Sequence, residues 1–224
     1  MQPVYQQDNI QDPHIISYMT LRKAIGWMGV LLPAVLVLGS FILDHTYVIK
    51  PSLSYYYWTH MRNVLVGVLC VIGSFLLSYH GPEGFKSWDS LASKSAGLLG
   101  FCIAFIPTSQ NGDNKPEDTV HYISAAIFLA ILAGMSLFLF TKSGAYITAQ
   151  KKKRNRIFKV CGIIMLAAII LIPVTGLNFI HKHISQFKPT AICETIALIS
   201  FGISWLVKGQ LIFKDKENAA LIKA

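Results

Sequence analysis

The sequence predicts an all-helical polytopic membrane protein, a bundle of six transmembrane helices with both termini in the cytoplasm. Three observations support this fold class. Hydrophobic residues make up 53% of the 224-residue chain, whereas charged residues make up only 14%. The apolar residues also fall into six runs that approach the roughly 20 residues a helix needs to cross a bilayer. In addition, the basic residues lie mainly on one side of these runs.

The predicted spans cover residues 24–43, 61–79, 91–106, 120–140, 157–177 and 190–207. The first, fourth and fifth are the most apolar, and the second and sixth carry polar residues near one end. The third is short, with Lys94 placed to reach the headgroups, and a buried soluble helix is the alternative there. Because the connections are short, we expect one membrane domain at 24–208, a cytoplasmic arm at 1–23 and a cytoplasmic tail at 209–224.

The orientation follows from the lysines and arginines, which are retained on the cytoplasmic side of a membrane. Six spans put both termini on one face, and that face then holds 15 of the 20 basic residues. The other five are Lys50, Arg62, Lys115, Lys182 and Lys188. The basic run 151–156 directly precedes the fifth span, so topology and attraction to anionic lipids account for the net charge of +9. We therefore expect membrane lipids as partners and no nucleic acid.

Small residues recur at helical spacing on the third predicted span. They are Ser93, Ala96, Gly97 and Gly100. Small side chains let a second helix approach closely in a membrane bundle, where packing and hydrogen bonding hold the helices together. The pattern predicts a tightly packed helix pair.

The stretch 54–63, between the first two spans, is unusually rich in polar and aromatic groups. It reads Ser-Tyr-Tyr-Tyr-Trp-Thr-His-Met-Arg-Asn. Anchoring at the membrane interface explains Tyr and Trp in general, but four consecutive aromatic residues place rings on all sides, so some face the bundle. Polar residues of the third, fourth and sixth spans reach the same depth. The sequence therefore predicts a polar pocket between spans two, three, four and six at the outer leaflet.

The candidate ligand-binding residues are Ser54, Tyr55, Tyr56, Tyr57, Arg62, Asn63, His121 and Glu194. Glu194 lies about one turn inside the sixth span; a carboxylate costs roughly 2.5–3.5 kcal/mol at the centre of a span and less near its end. It should therefore face the bundle and find a partner, for which Arg62 and His121 are the candidates. A structural ion pair or a protonated, hydrogen-bonded acid is the alternative for Glu194. Arg62 is also suited to a phosphate or carboxylate headgroup.

His60, Asp118, His121 and Glu194 form a candidate metal site. Asp118 and His121 are three residues apart and share one helix face, the way that some carboxylate-bridged metal sites present ligands. Nitrogen and oxygen ligands suit a divalent ion such as zinc. A hydrogen-bonded interfacial histidine beside an exposed loop acid is the alternative.

Several segments resemble the bacterial domain-of-unknown-function family 998. They are the run 54–67, the segment 74–81, Phe105-Ile106-Pro107-Thr108, the segment 121–126, and Glu194 with 202–209. That group is similar in outline to the Frag/DRAM/Sfk-type six-span membrane proteins. The resemblance covers most of residues 50–210 and implies a six-helix integral protein of the bacterial inner membrane. It lends no catalytic residue.

Three functions fit these residues, and the sequence leaves open whether the protein is an enzyme. The first is binding or translocation of a lipid or small amphiphile, with Arg62 on its anionic group, the tyrosines packed on it, and His121 and Glu194 completing the site. The second is a metal-dependent membrane hydrolase that acts on a lipid through the four candidate metal ligands. The third is a proton-coupled small-molecule transporter in which Glu194 titrates.

Overall fold

The computed structural model describes residues 13–81, 88–110, 115–143 and 147–214, which form helices and turns and, within those ranges, no strand. The helices are α1 (Pro13–Leu43), α2 (Arg62–Ser78), α3 (Trp88–Phe105), α4 (Pro116–Gly134), α5 (Ala149–Thr175), α6 (Asn178–Ile184) and α7 (Pro189–Lys208). A π-helical turn, Met135–Leu139, continues α4, and a short 3-10 helix, Ser185–Phe187, follows α6. A second 3-10 helix, Leu53–Trp58, precedes α2 and is called the aromatic turn below. The predicted all-helical class is confirmed.

Each predicted span coincides with one long helix. The largest differences are at the starts of α1 and α5, which begin at Pro13 and Ala149. Part of the predicted arm 1–23 is therefore helical, and the basic run 151–156 is the first part of α5, since lysine and arginine favour helix. Residues 1–12 of the arm and 215–224 of the predicted tail lie outside the described residues.

Among the described residues, four helical segments are long and apolar enough to cross a membrane. They are Ser17–Leu43, Pro116–Leu139, Ala149–Thr175 and Pro189–Lys208. Helix α2 is apolar but has only 17 residues, and α3 carries Asp89 and Lys94. The chain thus has the make-up of a multi-pass membrane protein, while the assignment of α2 and α3 as spans stays a prediction.

The long helices pack in a ring. Its order is α1, α2, α3, α4, α5 and α7, and α7 closes the ring against α1. At the end of the bundle where α7 finishes, the buried Trp205 meets Phe75, Tyr79 and Phe140 edge-on, with ring centroids 5.1–5.2 Å apart. Ring order and chain order agree because short connections place consecutive helices side by side.

Small residues bring α2 and α3 into close contact. A Cβ atom built on Gly97 would lie 2.8 Å from the carbonyl oxygen of Gly73. Ser93 and Ala96 are fully buried on the same face, and Ser93 Oγ donates a hydrogen bond to the carbonyl of Leu76 at 2.5 Å. The close packing predicted from the small-residue spacing is confirmed, with α2 as the partner.

Candidate functional site

The helix ends that carry the predicted polar residues meet at one end of the bundle. The aromatic turn leads into α2, and Pro107 follows the end of α3. His121 and Glu194 both lie in the second turn of their helices, α4 and α7. The carbonyl of Pro51 accepts a hydrogen bond from the N–H of Ala191 at 3.1 Å, which fixes the loop before the aromatic turn against the start of α7.

A cavity of about 80 Å³ lies between the aromatic turn and helices α1, α2, α3, α4 and α7. Four of its lining residues are polar: Ser54, Tyr57, His121 and Glu194. The others are Leu32, Leu53, Leu65, Leu69, Ile103, Ala104, Pro107, Ala125, Phe128, Leu129 and Leu198. An apolar cavity with a few converging polar groups is the usual composition of a small-molecule site.

Glu194 holds the aromatic turn in place. Ser52 Oγ lies 2.8 and 2.9 Å from the two carboxylate oxygens, and the N–H of Leu53 donates to Oε2 at 2.6 Å. Ser52 Oγ also accepts the N–H of Ser54 at 3.1 Å and so caps the start of the aromatic turn. The sequence predicts Arg62 or His121 as the partner of Glu194. Ser52 and the Leu53 amide bind the carboxylate instead, because the aromatic turn folds back onto α7. The sequence could not indicate the Leu53 amide as a partner, because every residue except proline has a backbone N–H. Ser52 could have been recognised, because serine often caps the start of a helical turn.

His121 is 3% exposed, and both of its ring nitrogens have hydrogen-bond partners. Nδ1 lies 2.6 Å from the carbonyl oxygen of Ile106, and Nε2 lies 2.8 Å from Ser54 Oγ. A carbonyl oxygen only accepts, so Nδ1 carries a proton, and in the neutral ring Nε2 accepts the hydroxyl proton of Ser54. The two bonds fix the tautomer and the orientation of the imidazole.

Arg62 contacts Tyr57, a residue of the cavity lining. The guanidinium lies 4.2 Å from the ring centroid of Tyr57, and Nη2 donates to the phenol oxygen at 2.5 Å. A guanidinium has no acceptor atom, so the O–H of Tyr57 does not donate to Arg62 and is left to donate elsewhere. Trp58 packs edge-on against Tyr57 and donates from Nε1 to the carbonyl of Thr108 at 2.9 Å. Arg62 itself is exposed and lies outside the cavity lining.

Three further residues of the predicted ligand set also lie outside the lining. Tyr56 is fully buried, its phenol oxygen accepts the N–H of Lys50 at 3.4 Å, and burial raises the pKa of the phenol. Tyr55 is half-buried, and Asn63 is exposed at the start of α2. Four of the eight predicted ligand-binding residues therefore line the cavity, and the other four lie outside its lining.

His60 is exposed and pairs with Asp44, which follows the end of α1. Its Nδ1 lies 2.5 Å from Asp44 Oδ1, and its backbone N–H donates to the same oxygen at 3.1 Å. Ser40 Oγ donates to Oδ2 at 2.6 Å. Burial opposes ionisation, but the hydrogen bonds outweigh it and lower the pKa of Asp44 to about 2. His60 therefore helps to fasten the end of α1 to the start of α2.

Asp118 caps the start of α4. Its carboxylate accepts the N–H of Lys115 at 2.9 Å, the hydroxyl of Ser109 at 2.6 Å and the Ser109 N–H as well. The four predicted metal ligands are thus engaged with separate partners. Within the described ranges, no group of three or more His, Cys, Asp or Glu side chains is placed to hold a metal ion. The structure does not bring the predicted metal set together, because His60 and Asp118 each fasten a local loop.

The chain matches no protein-family model, no curated protein and no solved structure. The resemblance to family 998 stays a prediction. Because a helical bundle by itself hosts many activities, the geometry of the site is the evidence for function.

Proposed function

We propose that the protein binds or translocates a lipid or small amphiphile in the cavity beside the aromatic turn. The observation that carries this proposal is the division of the cavity wall. The polar side chains lie near the helix ends, whereas Phe128 and Leu198 lie further along α4 and α7 than His121 and Glu194 do. The polar group of an amphiphile and the apolar carbons next to it fit the two parts of such a wall.

A neighbouring apolar groove supports an amphiphile as the ligand. A space of about 530 Å³ lies between the end of α1, the following loop and the start of α7, lined by residues such as Val37, Ile49, Phe187 and Ile192. Leu53 lines both this groove and the cavity. Because Leu53 borders both spaces, an apolar chain that lies in the groove is next to the wall of the cavity.

We further propose that all six long helices cross the bilayer, with both termini in the cytoplasm and the cavity toward the outside. Leu91, Leu98 and Phe105 on α3 are 57%, 60% and 63% exposed, at intervals of seven residues. This spacing puts them on one face, which is stable in lipid and unfavourable in water. The imbalance of basic residues supports the orientation.

Cysteines placed at Tyr47 and Trp88 test this topology. The two side chains are 83% and 74% exposed, one after α1 and one at the start of α3. In intact cells a membrane-impermeant maleimide should label Tyr47→Cys and leave Trp88→Cys unlabelled, and permeabilisation should expose both. The unaltered chain, whose four cysteines lie in helices, sets the background. Labelling of Trp88→Cys in intact cells would contradict the six-span arrangement.

Ala125 and Ala126 provide a matched pair for the binding proposal. Ala125 lines the cavity, whereas the next residue on α4 is exposed. Leucine at 125 fills space that a ligand needs, so we expect Ala125→Leu to weaken binding at least about tenfold, which corresponds to about 1.4 kcal/mol. Ala126→Leu should bind as the unaltered protein does. The measurement is a fluorescence titration of detergent-solubilised protein with a nitrobenzoxadiazole-labelled lysophospholipid.

Thermal unfolding of both variants checks that each one is folded. If the two leucine variants bind the labelled lysophospholipid equally well, the ligand lies elsewhere on the protein. If the unaltered protein shows no saturable binding, the proposed function is wrong.

A further inference from the structure

We infer that Ser54 and His121 form a nucleophile and general-base pair that cleaves an acyl ester held in the cavity. The inference rests on the proposed function, since it takes the ligand bound there to be an amphiphile, and it adds a reaction to the binding. The class of substrate is a single-chain carboxylic ester.

The geometry around the imidazole is that of an activated serine. Ser54 Oγ lies 2.8 Å from His121 Nε2, within the range for proton transfer. The bond from Nδ1 to the carbonyl of Ile106 directs the free electron pair of Nε2 at the hydroxyl. Nucleophile, base and a third group that orients the base make up the general arrangement for nucleophilic catalysis. In this protein a backbone carbonyl provides the orienting acceptor.

The backbone of Ser54 is held in place by its neighbours. Its N–H is bonded to Ser52 Oγ, and Glu194 holds both that hydroxyl and the N–H of Leu53. Glu194 is therefore a positioning residue for the nucleophile, and it acts through Ser52 and Leu53 rather than on His121. A nucleophile fixed on a turn that is anchored to a long helix keeps its alignment with the base.

Tyr57 lines the same cavity, and its phenol group can donate a proton. Its phenol oxygen accepts from Arg62, so its own O–H is left to donate, and the guanidinium lies 4.2 Å from the ring centroid. A donor beside a positive charge stabilises the negative charge that develops on a carbonyl oxygen during acyl transfer. Tyr57 is thus suited to hold the oxyanion.

The reaction balances with water as the second substrate. Ser54 Oγ attacks the ester carbonyl carbon while its proton moves to His121 Nε2 and the carbonyl electron pair moves onto oxygen. The tetrahedral intermediate then collapses, the bond to the alcohol breaks, and His121 gives its proton to the leaving oxygen. Water attacks the acyl group left on Ser54, again with His121 taking and returning the proton, and the carboxylic acid is released.

The size of the cavity limits the substrate. Its volume of about 80 Å³ is smaller than the cavity of about 150 Å³ that accepts benzene in a well-studied engineered protein. The cavity therefore accommodates the ester group and the adjoining carbons, and the rest of a single chain extends outside it, alongside the groove beyond Leu53. A second acyl chain beside the ester group would not fit within this volume.

An alkyl fluorophosphonate, which forms a covalent bond with activated serines, tests the pair. The purified full-length protein in detergent should be labelled, and peptide mass spectrometry should find the adduct on Ser54. Ser54→Ala should abolish the adduct. His121→Gln, which keeps a hydrogen-bonding side chain but loses the base, should slow labelling at least about 100-fold, as expected for loss of a general base.

Ser78→Ala is the control variant, because Ser78 lies outside the cavity on α2 and bonds only to the carbonyl of Ser74 in the described structure. Its labelling rate should match that of the unaltered protein. Thermal unfolding of His121→Gln shows whether slower labelling reflects chemistry or lost folding. If this variant is unfolded, the position of the adduct in the unaltered protein tests the inference. The absence of an adduct on Ser54 then overturns it.

The outcomes separate the inference from the proposed function. If the protein binds the labelled lysophospholipid but forms no adduct on Ser54, the inference is wrong and the binding function stands. An adduct on Ser54 that forms equally fast in folded His121→Gln also overturns the pair. An adduct on Ser54 in a protein that binds no lysophospholipid would support the pair and contradict the ligand class. If neither binding nor an adduct is found, both proposals are wrong.

Discussion

Gly202→Ala should destabilise the helix bundle by about 3 kcal/mol, because α1 and α7 touch there through backbone atoms. A methyl group built on Gly202 would lie 2.5 Å from the carbonyl oxygen of Gly26 and 2.7 Å from the backbone nitrogen of Val30. Backbone atoms cannot rotate away as a side chain can, so the two helices must separate. The measurement is thermal unfolding of the purified protein in detergent.

Gly67→Ala is the matched control. It also lies within a helix, but no described atom comes within 4 Å of a Cβ built on Gly67 beyond its own local backbone. Alanine there should be neutral or stabilising by up to about 1 kcal/mol, the difference in helix propensity. If both glycine variants unfold at the same temperature as the unaltered protein, the α1–α7 contact is looser than the structure shows. Since α7 also carries Glu194, Gly202→Ala should in addition weaken binding of the labelled lysophospholipid.

Glu194→Ala should lower the free energy of unfolding by about 2–4 kcal/mol, because it leaves two buried donors without an acceptor. Each such donor costs about 1–3 kcal/mol. The donors are the hydroxyl of Ser52 and the N–H of Leu53, residues that are 8% and 5% exposed. The aromatic turn should loosen from α7 as a result. Hydrogen–deuterium exchange should therefore speed up at residues 52–58 before it changes elsewhere.

Glu117→Ala is the control for this prediction. Glu117 is an exposed acid in the first turn of α4, where it interacts favourably with the positive end of the helix. Its removal should cost only about 0.3–1 kcal/mol and leave exchange in the aromatic turn unchanged. Equal exchange at 52–58 in Glu194→Ala and in the unaltered protein would show that Glu194 does not hold the turn.

Much of the helical architecture could be predicted because each helix has its own local signal. Long apolar runs predict α1, α4, α5 and α7, and Pro107 and Pro116 bound the loop between α3 and α4. Small residues on α3 predicted a close helix contact. Its partner, the surface of α2 around Gly73, could not be predicted, because many apolar helix faces accept a small-residue stripe equally well.

Half of the predicted ligand-binding residues line the cavity, and the hydrogen bonds of the site could not be predicted. Residue depth along the predicted spans placed Ser54, Tyr57, His121 and Glu194 at one end of the bundle, and all four line the cavity. The structure does not bring the predicted metal ligands together. Their residue types and helical spacing suit a metal, but these features do not show that each side chain is hydrogen-bonded to a nearby loop acid or serine.

The sequence by itself determined the all-helical class, the positions of the long helices and the end of the bundle where polar groups collect. These properties follow from hydropathy and periodicity, which act over one helix at a time. Only the tertiary structure decided that Glu194 bonds to Ser52 and the Leu53 amide, and that the carbonyl of Ile106 turns His121 toward Ser54. Those contacts depend on backbone groups and on how the aromatic turn folds back onto α7, and backbone groups are the same at nearly every position of any sequence.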